Sequence, residues 1–204
     1  MTVKEVLNMA AQLLNIDSEL SGLINQEVMS SESKKLVSLF NSAVMAHEEL
    51  ALDYFPLLKR EEIIVENNKL YYADLSKEVK DIYSIDGIDG KSFTFKAFPD
   101  YCHVFGNGNM TITYSYVPAK IDFGGKIENF CGKVSCKMMA LLVASEYCYM
   151  QTMYEEAKMW RERFEDCIKN NMSKKSNIIM PKRAWLWYIG KNFQQKIIKR
   201  VLLK

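Results

Sequence analysis

The sequence predicts an α+β fold: a helical bundle interrupted by a small antiparallel β-sheet module, with an extended C-terminal arm. Three observations predict it. Apolar residues repeat at helical period at both ends of residues 1–172, the period changes to two between residues 61 and 117, and acidic residues vanish from Lys174 onward. On this reading residues 1–60 and 118–172 form the bundle, 61–117 the β-rich insert and 173–204 the arm.

The N-terminus reads as a helix. Thr2 and Glu5 have capping-box spacing, and Val3, Val6, Leu7, Ala10, Leu13 and Leu14 follow at helical period. A looser stretch containing Gly22 is expected next. A second helix begins after Ser31, with the stripe Leu36, Phe40, Ala43, Val44, His47, Leu50, Ala51 and Tyr54, and Pro56 closes it.

Ile63 to Val65, the pair Asn67-Asn68, and Leu70 to Tyr72 predict a hairpin, because Asn tolerates positive φ. Val79, Ile82 and Ile85 lead into Asp86-Gly87-Ile88-Asp89-Gly90. The segment SFTFKAF reads as a strand, and Cys102–Phe105 with Met110–Tyr116 reads as a second hairpin about Gly106-Asn107-Gly108-Asn109. Five or six strands make a small antiparallel sheet or sandwich. Helix returns at 133–150 with a wide apolar face. Tyr154–Asn170 then carries Met153, Ala157, Trp160, Phe164 and Cys167 on one side and charges on the other.

Composition narrows the chemistry. Cys102, Cys131, Cys136, Cys148 and Cys167 are odd in number and contain no CxxC pair, and His47 and His103 are the chain's histidines. Buried reduced thiols are expected, with no metal or cofactor. The opening residues hold no unbroken apolar run, and no stretch has the roughly 18 apolar residues of a membrane span. Gly106–Asn109 lacks the context of a phosphate loop, and Asp86–Gly90 lacks the ligand spacing of a calcium loop, so both read as turns. His47 reads as a core or interface residue. Cys102 and His103 are neighbours on a strand and point to opposite faces, which argues against a dyad. No catalytic constellation emerges, and a non-enzymatic protein is expected.

The arm carries nine Lys or Arg residues and no acid, while residues 1–173 hold 18 basic against 25 acidic residues. Trp185, Trp187 and Tyr188 stand beside Lys182 and Arg183. Gly190 separates this knot from a basic amphipathic segment starting near Phe193. The segment admits four readings: core, membrane-surface helix, nucleic-acid contact, or docking onto a partner protein. Aromatic and Arg residues dominate binding hot spots, and the charge opposition suits docking within an assembly. The candidate partner-binding set is therefore Lys182, Arg183, Trp185, Trp187, Tyr188, Ile189 and Phe193.

The stretch ALDYFPLLKREEIIVENNKLYYADL, the strand ending ITYSYVP, and ASEYCYMQTMYEEAKMWRERFEDCI together give a pattern that resembles the head–tail connector (adaptor) proteins of tailed bacteriophages. The resemblance covers the order of elements over roughly residues 1–170. It implies a structural protein of the virion head–tail junction, made in the host bacterial cytoplasm. It further implies a homo-oligomeric ring of about twelve copies, contacts to the portal protein and to a tail or second neck protein, non-specific passage of double-stranded DNA, and no membrane. The alternative expectation is a nucleic-acid-binding accessory protein that uses the basic arm.

Overall fold

The computed structural model of the chain describes residues 1–30, 33–128, 130 and 132–173. Its fold is α+β. The chain divides into two compact units, Met1–Phe164 and Glu165–Lys204. In the second unit the described residues continue the last helix, where Lys169 pairs with Asp166 at 3.2 Å.

Helix α1 spans Val3–Leu13, and its capping box forms as expected. Thr2 accepts from the Glu5 amide, and the Glu5 carboxylate accepts from the Thr2 amide at 2.9 Å. The stretch expected to be loose is instead helix α2, Asp17–Ile24. Gly22 costs about 1 kcal/mol of helix propensity, but a Cβ there would meet only open space. Leu20 and Ile24 are fully buried, so packing overrides the local preference. Helix α3, Lys34–Glu49, is capped by Ser33 and runs into a π turn, Leu50–Tyr54, before Pro56. Of its expected stripe Leu36, Ala43, His47, Leu50 and Ala51 are buried, while Phe40, Val44 and Tyr54 are half-buried, and Leu39, Ser42 and Ala46 widen the buried face.

Six strands follow: β1 Leu58–Val65, β2 Lys69–Tyr71, β3 Val79–Gly87, β4 Phe95–Ala97, β5 Tyr101–Val104 and β6 Gly108–Tyr116. They form two three-stranded antiparallel sheets, ordered β1-β6-β3 and β2-β5-β4. Neither expected hairpin forms a continuous ladder. Asn67 and Asn68 do adopt positive φ (53° and 58°), and the Glu66–Lys69 bridge closes that turn. Beyond it, β1 pairs with β6 and β2 with β5. The second expected hairpin also parts, β5 into one sheet and β6 into the other.

Both turns are corners between sheets, and they are tied together. The Asn68 amide donates to Asn107 Oδ1 at 2.7 Å, and the Val104 amide donates to the Asn68 carbonyl at 2.9 Å. The reason is burial. Val65, Ile85, Met110, Ile112 and Tyr114 of the first sheet share one core with Leu70, Cys102 and Val104 of the second. Folding the strands into two layers covers those side chains, which a single sheet of six would leave open on one side. The strand expected over SFTFKAF shortens to β4, because Phe93 turns into this core and its ring fills the space beside two glycines. A Cβ on Gly106 would lie 2.5 Å from Phe93 Cε1, and one on Gly87 2.9 Å from Cε2.

Helix α4, Cys136–Met150, is buried around most of its circumference and packs on α1 and α3. Helix α5, Tyr154–Ser173, buries Ala157, Trp160 and Phe164. The Ser145 hydroxyl joins the two helices by donating to the Ala157 carbonyl at 2.9 Å. Two hydrogen bonds join the bundle and the β module: the Tyr116 amide donates to the Leu57 carbonyl at 3.1 Å, and Lys80 Nζ donates to the Leu52 carbonyl.

Candidate functional site

The residues assigned to the arm, Lys182, Arg183, Trp185, Trp187, Tyr188, Ile189 and Phe193, lie outside the described residues. The sites described below therefore belong to the body.

The two turn motifs serve the backbone. Asp86 accepts from Ser92 Oγ at 2.6 Å and Ser84 Oγ at 2.9 Å, and these bonds, Ser92 first, hold its carboxyl low. Asp89 Oδ1 accepts from the Lys91 amide at 3.2 Å, and Gly90 donates to the Gly87 carbonyl at 2.9 Å. Among the described residues no group of three His, Cys, Asp or Glu side chains could hold a metal ion.

His47 and Cys102 are enclosed. His47 is 1% exposed and meets the Phe130 ring edge-on at 5.6 Å, and burial lowers its pKa. Neutral imidazole in an apolar bundle is a packing group. Cys102 is fully buried in the shared β core, and burial pushes its thiol up to about 11, so the nucleophilic thiolate is suppressed. His103 points to the opposite face and packs edge-on against Phe105 at 4.9 Å. The neighbours form no dyad.

A polar cluster with catalytic-looking partners occupies one flank of the β module. Lys59, Ser76, Glu61 and Tyr114 meet there. Lys59 Nζ stands 2.7 Å from Glu61 Oε1, Tyr114 donates to Glu61 Oε2 at 2.9 Å, and the Ser76 hydroxyl contacts both Lys59 and Glu61. A Ser–Lys pair performs nucleophilic chemistry when the lysine is a neutral base. Here the Glu61 hydrogen bond raises the Lys59 pKa, so that ammonium has no lone pair for the Ser76 proton. Burial works to raise the Glu61 carboxyl. Bonds from Lys59, the Ser76 hydroxyl and amide, and Tyr114 outweigh it and hold the carboxyl at about 2. The cluster is a charged clamp that fixes the segment before β3 onto β1 and β6.

The outer face of the first sheet carries a shallow cleft of about 470 Å³ lined by Arg60, Glu62, Asp86, Ile88 and Thr111. Cross-strand register explains it: Glu62, Thr111 and Asp86 lie in one row, so alternating polar residues reach the same side.

The outer face of the second sheet differs in character. Lys69, His103 and Lys96 share one cross-strand row, and Tyr71 pairs with Tyr101 in the next. Phe98 stacks on Tyr101 with centroids 4.9 Å apart and planes at 14°. Lys69 Nζ lies 5.1 Å from the Tyr101 centroid and Lys96 Nζ 5.4 Å from that of Phe98. Tyr71 and Phe105 are 47% and 61% exposed, so apolar ring surface faces solvent. The sequence reading missed this face. Its signal was present in the alternation Lys69-Leu70-Tyr71 and in Tyr101-Cys102-His103-Val104-Phe105, where every second residue is aromatic or basic.

Among the described residues no helix is long and apolar enough to cross a membrane. No family model matches the chain, and no curated protein matches it.

Proposed function

We propose that this chain is a structural subunit of a tailed-phage neck: a head–tail connector that forms an oligomeric ring between portal and tail and serves as a conduit for DNA. The observation that carries the reading is the order of elements. The resemblance rests on two helices, a β insert, two helices and a basic arm. The chain has that order with one added short helix, α2, before the six strands and two further helices, followed by a basic, aromatic C-terminal sequence.

On this reading the mechanism is geometric and needs no catalytic residue. Rings close through heterologous contacts, in which one face of a subunit meets a different face of its neighbour. The net negative charge of residues 1–173 suits a conduit, because like charge lets a phosphate backbone slide past without being gripped. The arm anchors the ring to the portal, with Trp185, Trp187 and Tyr188 as buried plugs and Lys182 and Arg183 at the polar rim.

A second reading, a nucleic-acid-binding accessory protein, draws on the same arm, where nine basic residues accompany two tryptophans. Salt separates the two. Phosphate binding falls steeply with salt, whereas docking of aromatic plugs does not. The test is co-sedimentation of the full chain with tailless, DNA-filled heads and, separately, with bare duplex DNA, across a salt series. Capture by heads that persists at high salt, with little retention on duplex, is the expected result. Salt-sensitive binding to duplex and none to heads would establish the accessory role instead.

A further inference from the structure

We infer that the outer face of the second sheet is a self-association surface that docks on the acidic end of α3 in a second copy of this chain. The choice of occupant rests on the ring reading above.

The face has the anatomy of a protein interface. Protruding rings, Tyr71 and Phe105, surround a pre-stacked Phe98–Tyr101 pair, with Lys69 and Lys96 beside them. Aromatic residues at the centre and charged residues at the margin are the usual arrangement. Ring stacking within the chain also limits what the face can take. Phe98 and Tyr101 spend ring surface on each other, and an ammonium lies over each ring, so a nucleobase would have to displace these partners to stack there. A protein surface that meets ring edges and exposed Tyr71 and Phe105 displaces nothing.

Charge selects the occupant. The outward residues of β2, β4 and β5 include Lys69 and Lys96 and no carboxylate, and exposed Asp100 stands at the margin in the turn between β4 and β5. Residues 1–57 carry eight acidic residues against three basic. On α3 and its π turn, Glu48 and Asp53 are exposed, and Met45 beside Glu48 is 47% exposed. An apolar side chain one helical turn from a carboxylate, with a second carboxylate further along the same element, complements rings flanked by ammonium groups. The two patches are different faces of one chain, which is the heterologous contact that closes a ring.

Carbodiimide cross-linking tests this directly, since it joins an ammonium to a carboxylate only where they touch. Light and heavy-isotope preparations of the full chain are mixed, cross-linked over a concentration series and mapped by mass spectrometry. Lys69 and Lys96 should link to Glu48 or Asp53 of the other copy. Tyr71→Ser with Phe105→Ser should cut those links about tenfold, within the hot-spot range, at unchanged melting temperature. Lys69→Glu with Lys96→Glu should abolish self-association, and adding Glu48→Lys with Asp53→Lys should restore it. A chain that sediments as a monomer at every concentration, or links that ignore these substitutions, would overturn the inference. Saturable binding of a labelled oligothymidylate that the serine variants abolish would also overturn it, in favour of single-stranded nucleic acid. If the links form but heads capture no protein, the self-docking face stands and the neck assignment falls. Capture by heads with an indifferent sheet face gives the converse.

Discussion

Glu61 shows how far one side chain's environment can differ from what its neighbours in sequence suggest. In the Lys-Arg-Glu-Glu run it looks like a solvated charge, yet register turns it toward Tyr114 while Glu62 faces solvent. Its carboxyl sits at about 2 in the folded chain against an ordinary 4.5. A depressed carboxyl contributes stability that is complete above the unfolded value and lost as pH falls from there toward 2. The contribution is at most about 3 kcal/mol. Glu61→Gln should therefore cost on the order of 2 kcal/mol near neutrality, and should flatten the pH dependence of stability between those values. Chemical denaturation as a function of pH measures both. Gly106 makes the second residue-scale case. With Phe93 in the way of any Cβ, Gly106→Ala should destabilise by about 1–3 kcal/mol, the usual cost of overpacking. Gly22→Ala, which meets open space inside α2, should stabilise by up to about 1 kcal/mol, and a thermal melt of the pair checks the contrast.

Elements were legible where one physical signal dominates. The Thr2–Glu5 box, the helix expected after Ser31 and the alternation in β6 are each encoded locally, and each forms. Strand pairing was not legible, because turns at Asn67-Asn68 and Gly106–Asn109 look the same whether they close a hairpin or pass the chain between sheets. Only the shared burial of Val65, Leu70, Cys102 and Ile112 decides it, and that is a non-local fact. The junction of α3, α4 and α5 was equally hidden. Arg161, expected on a solvated face, lies 2.8 Å from Glu49 and 3.8 Å from Glu146. Burial, then the Glu49 carboxylate, push the Glu146 carboxyl up, and Arg161 pulls it back. Arg161→Met leaves two facing carboxylates, and should cost about 1–2 kcal/mol at neutral pH. That is below the buried-pair scale because Arg161 is one-third exposed. A carboxyl raised in the folded state is better tolerated when protonated, so the deficit should shrink as pH falls through the carboxylate range. Urea midpoints at neutral and acidic pH give the sign.

At the scale of the whole molecule, charge differs between residues 1–173 and the C-terminal sequence, and aromatic residues gather on the outer face of the second sheet. On the proposed neck reading, these parts suit a subunit that meets unlike surfaces. The arm's role has its own test: Trp185→Ala with Trp187→Ala should remove a few kcal/mol of docking energy and leave the melting temperature unchanged, read as capture by heads beside a thermal melt. The neck assignment itself is tested most directly by electron microscopy of tailless heads incubated with the full chain. The account predicts a closed ring of about twelve copies seated beneath the portal at a single vertex, with an open axial channel. Heads left bare at that vertex, or protein spread over the shell or along released DNA, would contradict it.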